Sequence, residues 1–159
     1  MSFFDRIVSL DDAMIVRPAS EEDIREANSE LLNLNLPPIP SDYKDFLKHC
    51  NGFAFNGVEL FGTDIVTDPE TGFQLIDIVS YTEQQLEYYD EELLYFGCVD
   101  DDIYTYNPRS QKYETRDISG FEVYDEFESF GMFLENEIVT KLFQQDNGPD
   151  DDGRYDAWV

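Results

Sequence analysis

Apolar residues recur along this chain at two spacings, one typical of helices and one typical of strands. From Ser20 to about residue 35 the spacing is helical, and acids at 21–23 occupy the first turn, where they suit the helix dipole. The apolar face of this predicted helix comprises Ile24, Ala27, Leu31 and Leu34. Before it, residues 3–8 fit one or two helical turns and 14–16 fit a short strand.

Residues 36–62 organise the prediction for the rest of the chain. Prolines at 37, 38 and 40 hold the beginning of this segment extended, and Ser41 is predicted to cap a short helix. Asn51 and Gly52 tolerate the left-handed conformation, so they are predicted to end the helix. Its apolar face comprises Tyr43, Phe46, Leu47 and Cys50. We expect Phe46 and Leu47 to be buried and to join this helix to the sheet.

A tight hairpin is predicted directly after this helix. Two short apolar runs, 53–55 and 58–61, flank Asn56 and Gly57. Asn-Gly between apolar runs is typical of a type I′ turn, because that turn needs positive φ at both central residues.

The middle of the chain predicts strands at 73–79, 93–99, 103–107 and 112–117, and the last three form an antiparallel meander. A helix capped by Thr82 is predicted between the first two strands. These elements place the strands mainly in the centre of the sequence.

A final helix is predicted to begin at Tyr124 or Asp125. Its broad apolar face comprises Phe127, Phe130, Phe133, Leu134, Ile138, Val139, Leu142 and Phe143. Residues 144–159 are polar, acidic and rich in turn formers, so they are predicted to form a mobile tail.

With helices at both ends and strands between them, the chain is predicted to be an α+β domain with a mostly antiparallel sheet and helices packed around it. Its 159 residues suit a single domain. The predicted organisation is an N-terminal segment at 1–19, the α+β domain at 20–143 and the acidic tail at 144–159.

The helix and hairpin at 36–62 also carry a family resemblance. A proline-led P-x-x-Y-x-x-F-L helix, closed by Asn-Gly and followed by a strand ending in Leu-Phe-Gly, resembles the SUKH superfamily. The matching residues are Pro40, Tyr43, Phe46, Leu47, Asn51, Gly52, Leu60 and Gly62. Looser matches extend the resemblance to roughly 20–143. The superfamily includes a yeast cell-wall assembly regulator and many bacterial immunity proteins against polymorphic toxins. The resemblance therefore implies a helix-covered antiparallel sheet and a role in immunity or regulation.

The strongest compositional feature is acidity, with 36 Asp and Glu against 10 Lys and Arg and a formal net charge of −26. Such a chain repels phosphate backbones and anionic membranes, so neither is expected as a partner. The acidity is expected to serve solubility, complementarity to a basic partner, or mimicry of nucleic acid. No Lys or Arg lies between His49 and Pro108, a stretch with thirteen acids, so an acidic face is expected there.

Catalytic and metal-binding patterns are not evident in the sequence. The single histidine, His49, ends a predicted helix, where a structural role is expected. Cys50 and Cys98 are predicted to be reduced packing residues. The acidic runs 100–102 and 150–152 lack the spacing of a calcium loop. We therefore predict no catalytic residue, no metal ligand and no cofactor.

The candidate partner-binding surface combines acids with tyrosines, which are enriched in protein interfaces. Its residues are Glu87, Tyr88, Tyr89, Asp90, Glu91, Glu92, Asp100, Asp101 and Asp102. The leading hypothesis is a non-enzymatic immunity protein that binds and neutralises a basic toxin such as a nuclease. Alternatives are a regulatory or scaffolding module of the same fold and, more distantly, a small hydrolase with carboxylate chemistry. The N-terminus lacks the features of a signal peptide, so a cytoplasmic location is expected.

Overall fold

The computed structural model describes residues 3–88 and 92–144. The helices in this part of the chain are α1 (Phe3–Ile7), α2 (Glu21–Asn33), α3 (Ser41–Leu47), α4 (Ile78–Gln85) and α5 (Phe130–Phe133), with π-helical turns continuing over Leu134–Ile138 and Thr140–Gln144. The strands are β1 (Met14–Ile15), β2 (Phe53–Phe55), β3 (Val58–Leu60), β4 (Val66–Thr67), β5 (Gln74–Leu75), β6 (Leu94–Val99), β7 (Asp102–Asn107), β8 (Lys112–Asp117) and β9 (Val123–Phe127).

Seven of these strands form one antiparallel sheet in the order β1-β2-β3-β6-β7-β8-β9, and β4 pairs with β5 separately. The hairpin between β2 and β3 is confirmed, because Asn56 and Gly57 have φ of 53° and 89° and Phe55 pairs with Val58. The meander of β6, β7 and β8 is also confirmed. The molecule is therefore the single α+β domain that the pattern predicts.

An aromatic cluster fills the space between the sheet and the helices α1, α3 and α5. Tyr104 of β7 lies edge-on to Phe133, with ring centroids 4.8 Å apart, and Tyr43 of α3 meets Phe130 at the same distance. Side chains alternate between the two faces of a strand, so Tyr95 and Ile103, which precede Phe96 and Tyr104, face the opposite side of the sheet. There they form a smaller buried cluster with Leu93, against which Tyr81 of α4 and Phe121 pack.

Helix α3 connects the N-terminal segment, the C-terminal helix and the sheet. The predicted burial of Phe46 and Leu47 is confirmed, at 3% and 0% exposed. The ring of Phe46 contacts Phe3, Phe4, Tyr43 and Phe130, so its aromatic contacts join α3 to α1 and α5. Tyr43 contacts the sheet through the ring of Phe96 and through the carbonyls of Phe61, just after β3, and Phe96, within β6.

Both predicted ends of α3 differ in the structure. Pro40, without a side-chain cap, occupies the N-cap position, and Ser41 is the first helical residue. Proline fixes φ at the beginning of the helix but offers no side-chain oxygen to the first free N–H groups. At the other end, Lys48 is the C-cap, and Asn51 is buried.

The side chain of Asn51 links the segment after α3 to the end of the hairpin. Its Oδ1 accepts the backbone N–H of Thr63 at 2.8 Å, and its Nδ2 donates to Thr63 Oγ1 at 2.8 Å. A Cβ on Gly62 would lie 2.1 Å from the Asn51 carbonyl oxygen, so this approach needs glycine. The matched pattern Asn51-Gly52 and Gly62 therefore serves packing between two segments rather than helix termination.

Two further predictions about secondary structure were wrong. The predicted strand at 73–79 shrinks to β5, because Asp77 accepts the N–H of Ser80 at 3.0 Å and starts α4 five residues before the predicted cap at Thr82. The predicted start of the last helix at Tyr124 or Asp125 is a strand, β9, and Ser129 caps α5. The apolar spacing continues across the boundary because Phe127 of β9 packs on Phe133 of α5.

The predicted tail lies outside the described residues from 145 onwards. Within the described parts of the chain, no helix is both long and apolar enough to cross a lipid bilayer.

Candidate interaction surface

The turn between β6 and β7 brings acids together with the ends of other elements. Asp102 pairs with Asp117 across β7 and β8, and the carbonyl of Asp101 accepts the N–H of Ile118 at 2.9 Å. Tyr124 of β9 lies within electrostatic reach of Asp102, Asp117 and Glu122. We call this group the acidic end of the sheet; its carboxylates are Asp100, Asp101, Asp102, Asp117, Glu122 and Glu137.

Burial and neighbouring charges both raise the pKa values of carboxyl groups in the acidic end. Partial burial raises the pKa of Asp102, and Asp117, Asp100 and Asp101 raise it further, while Lys141 opposes them. Burial also raises the pKa of Glu137, although Lys141 and the Tyr104 hydroxyl stabilise its charged form. The Nζ of Lys141 lies 3.6 Å from Glu137, whose side chain is 12% exposed. Lys141 alone does not balance six carboxylates, so this end of the described structure is strongly negative.

The predicted binding residues fall into two groups that the structure does not bring together. Glu87 and Tyr88 follow α4, are exposed, and lie with Glu92 before β6, whereas Asp100 follows β6 at its other end. Six strand residues at about 3.3 Å each separate the groups by about 20 Å. Tyr89, Asp90 and Glu91 lie outside the described residues. The acidic end therefore contains only the Asp100–Asp102 part of the predicted surface.

Sequence reasoning missed the other half of the acidic end. Asp117, Glu122 and Glu137 lie between 15 and 35 residues after Asp102 in the sequence. The register of β8 on β7 and the packing of the last helical segment bring them close. Asp117 and Glu122, which lie at the two ends of the β8–β9 connection, could have suggested this only if the strand pairing had been known.

A buried ion pair on the second face of the sheet was also missed. Arg116 donates through Nε and Nη2 to Glu114 Oε1 at 3.0 and 2.8 Å, and Thr105 Oγ1 donates to the same oxygen. The guanidinium also lies 4.5 Å from the Phe121 ring centroid. Alternating charges at 112, 114 and 116 would normally indicate a solvent-exposed strand face. Here the face is covered, so the pair holds β7 and β8 rather than a ligand.

The side chains that could act as a nucleophile or a base are His49, Cys50 and Cys98, and each makes contacts typical of a structural role. His49 stacks on Phe4 at 4.8 Å, and its Nδ1 lies 2.9 Å from the carbonyl of Asp45. Burial raises the pKa of Cys50 to about 11 and that of Cys98 to about 12, so both are neutral thiols at neutral pH. Both cysteines are free, and the Cys50 thiol donates to the Gly52 carbonyl at 2.9 Å.

The pockets of the described surface are open, and two of them have volumes of about 540 and 600 Å³. One shallow pocket of about 280 Å³, small for a ligand site, lies beside the β2–β3 hairpin and includes Glu59 and Phe73. Burial raises the pKa of Glu59, and the Cys98 thiol opposes this by hydrogen bonding. In residues 3–88 and 92–144, no group of three His, Cys, Asp or Glu side chains is arranged to hold a metal ion.

The fold and surface define an α+β domain whose main chemical feature is a partly exposed cluster of carboxylates at one end of the sheet. Residues 18–136 match the SMI1 / KNR4 family (SUKH-1), and the chain belongs to that family. Membership is consistent with a toxin-immunity protein or another interaction module. No curated protein matches the chain significantly.

Proposed function

We propose that this protein is a non-enzymatic immunity protein, which binds a basic toxin domain such as a nuclease and neutralises it. Family membership supports an interaction role. The observation that supports a basic partner is the acidic end, where Asp117, Asp100 and Asp101 lie close enough to Asp102 to add to the rise in its pKa that partial burial causes. A cationic surface placed there relieves repulsion between the acids while it forms contacts of its own.

If electrostatic attraction guides the basic partner to the acidic end, the association rate should depend on salt concentration. The Debye length is about 10 Å at 0.1 M salt and about 3 Å at 1 M. Long-range steering should vanish across that range, so the association rate should fall by about one decade or more. Dissociation should respond less, because close contacts are screened less than distant charges.

The test begins with capture of the partner from the native host by the purified full chain, identified by mass spectrometry. Stopped-flow binding to that partner is then measured between 0.1 and 1 M salt with a double variant, Asp101→Lys and Glu122→Lys. Both side chains are exposed. The matched control carries the same charge change on α2, Glu26→Lys and Glu30→Lys, both also exposed.

The acidic-end variant should associate more slowly than the control variant. A rate that does not depend on salt, or that falls equally in both variants, would remove the acidic end as the docking surface. Loss of toxin activity on binding separates the immunity role from the alternative, a regulatory or scaffolding module of the same fold. A captured partner whose activity is unchanged would favour that alternative, as would the lack of a toxin gene beside this one.

A further inference from the structure

Strand β9 forms one edge of the seven-stranded sheet. It pairs with β8 from Tyr113↔Phe127 to Arg116↔Val123, and within residues 3–88 and 92–144 no strand lies on its other side. Four of its five residues are exposed, including Val123 at 42% and Tyr124 at 56%. An edge of this kind presents unpaired N–H and C=O groups that another extended chain can bind.

The side chains of this edge carry charge of one sign. Residues 122–128 contain four carboxylates, at Glu122, Asp125, Glu126 and Glu128, and no basic residue. A cation from the neighbouring strand, Lys112 of β8, places its Nζ 3.9 Å from Glu126. The edge therefore continues the negative potential of the acidic end along the length of a strand.

This charge pattern restricts what can pair with β9. A second copy of the chain would align four carboxylates with four others, and like charges that face each other across a ladder are unfavourable. A basic strand has the opposite sign, so the same side chains that exclude a copy attract it. Val123 and Tyr124 add apolar area beside the charges, which suits a segment that alternates basic and apolar residues.

A bulge near the start of β9 sets the length of the pairing. The register shifts between Thr115 and Arg116, so Tyr124 is an extra residue between Val123 and Asp125. Bulges locally increase twist and disturb pairing. Regular pairing is therefore available from Asp125 to Phe127, and Tyr124 is left to contact the incoming side chains.

We propose that β9 accepts an extended basic segment of the partner protein, which adds to the sheet as an eighth strand. This inference rests on the proposed function to the extent that the partner is a basic protein. Backbone hydrogen bonds provide the pairing, and the carboxylates select the charge of the segment. The acidic end then lies beside the added strand and steers its approach.

The test uses the full chain labelled with ¹⁵N and a ten-residue peptide of alternating lysine and valine as the probe. Amide shifts should be largest at Val123–Phe127. A second peptide, identical but with alternate backbone amides N-methylated, keeps the charge and loses donors needed for pairing. It should bind at least tenfold more weakly.

Variants test the charge selection. Asp125→Lys with Glu126→Lys should weaken peptide binding by about tenfold or more, whereas Glu26→Lys with Glu30→Lys on α2 should weaken it much less. A thermal melt reports whether the double variant is folded, and the single variant Asp125→Lys replaces it if the melt is lost. Undetectable peptide binding, equal binding of the N-methylated peptide, or shifts spread over other acidic surfaces would each overturn strand addition.

The outcomes also separate this inference from the proposed function. A captured toxin that is neutralised and whose association responds to Asp101→Lys and Glu122→Lys but not to Asp125→Lys would leave the immunity role standing and reject the β9 edge. A basic peptide that adds to β9, together with a partner that is not a toxin, would do the reverse.

Discussion

Removal of the Tyr43 hydroxyl tests how much its buried hydrogen bonds contribute to the stability of the core. It donates to the Phe61 carbonyl at 2.5 Å and to the Phe96 carbonyl at 3.3 Å, in a site that is 1% exposed. Burial raises the pKa of this phenol well above its ordinary value, so it remains a donor at every relevant pH. Tyr43→Phe keeps the ring contacts and removes only these bonds.

The cost follows from what each carbonyl loses. The Phe96 carbonyl still accepts the Phe61 N–H at 2.8 Å, whereas the Phe61 carbonyl loses the hydroxyl donor in a place that water does not reach. A buried polar group left unsatisfied costs about 1–3 kcal/mol. We therefore expect Tyr43→Phe to lower the free energy of unfolding by about 2 kcal/mol. In a protein of this size that is a fall of about 4–8 °C in melting temperature.

Urea unfolding followed by circular dichroism measures this difference, with thermal melts as a second readout. The control is Tyr88→Phe, at a side chain that is 75% exposed, where a change within about 0.5 kcal/mol is expected. If Tyr43→Phe matched the control, the hydroxyl would contribute nothing net, and the link from α3 to the Phe61 and Phe96 positions would depend on ring packing alone.

Three further predictions concern stability. Phe46→Ala should cost about 3–5 kcal/mol in urea unfolding, because the ring is buried among four other aromatic rings; a melt like that of the wild type would contradict this. Gly131→Ala should raise stability by up to about 1 kcal/mol, because an added Cβ would meet only Ser129 Oγ, at 3.8 Å, in a helix; a loss would mean that the glycine has another role. The folded state raises the pKa of Asp102 and Glu137, so it binds their protons more tightly than the unfolded chain does. Their contribution to stability should therefore increase as the pH falls from 7 through the raised pKa values, and it should level off near the ordinary carboxyl pKa of about 4. Asp102→Asn should flatten the dependence of melting temperature on pH in this range. An unchanged dependence would show that Asp102 does not titrate there.

The sequence predicted correctly those secondary-structure elements that a turn or a helix cap of a few residues determines. The β2–β3 hairpin follows from Asn56-Gly57, and the helix at 21–33 from Ser20, which accepts the Asp23 N–H at 3.0 Å in a capping box. The start of the last helix failed for a physical reason. Phe127 and Phe130 have helical spacing, but Phe127 reaches the same cluster from a strand.

The acidic end could be predicted from the sequence only where its residues are consecutive. Asp100–Asp102 are consecutive, so their acidity is evident from the sequence alone. Asp117 joins them through strand register, and Glu137 through packing of the last helical segment. Neither contact leaves a trace in spacing or composition, and this explains why half of the acidic end was missed.

The family motif has a consequence for how such proteins can diversify. Of its eight residues all but Pro40 are buried, and pairs such as Asn51 with Gly62 constrain each other through a single close contact. None belongs to the acidic end or to β9. Residues that determine the fold and residues available for recognition are thus separate sets. Substitution of the recognition residues can change the partner without disturbing the interior. Relatives with the same motif can therefore have unrelated surfaces.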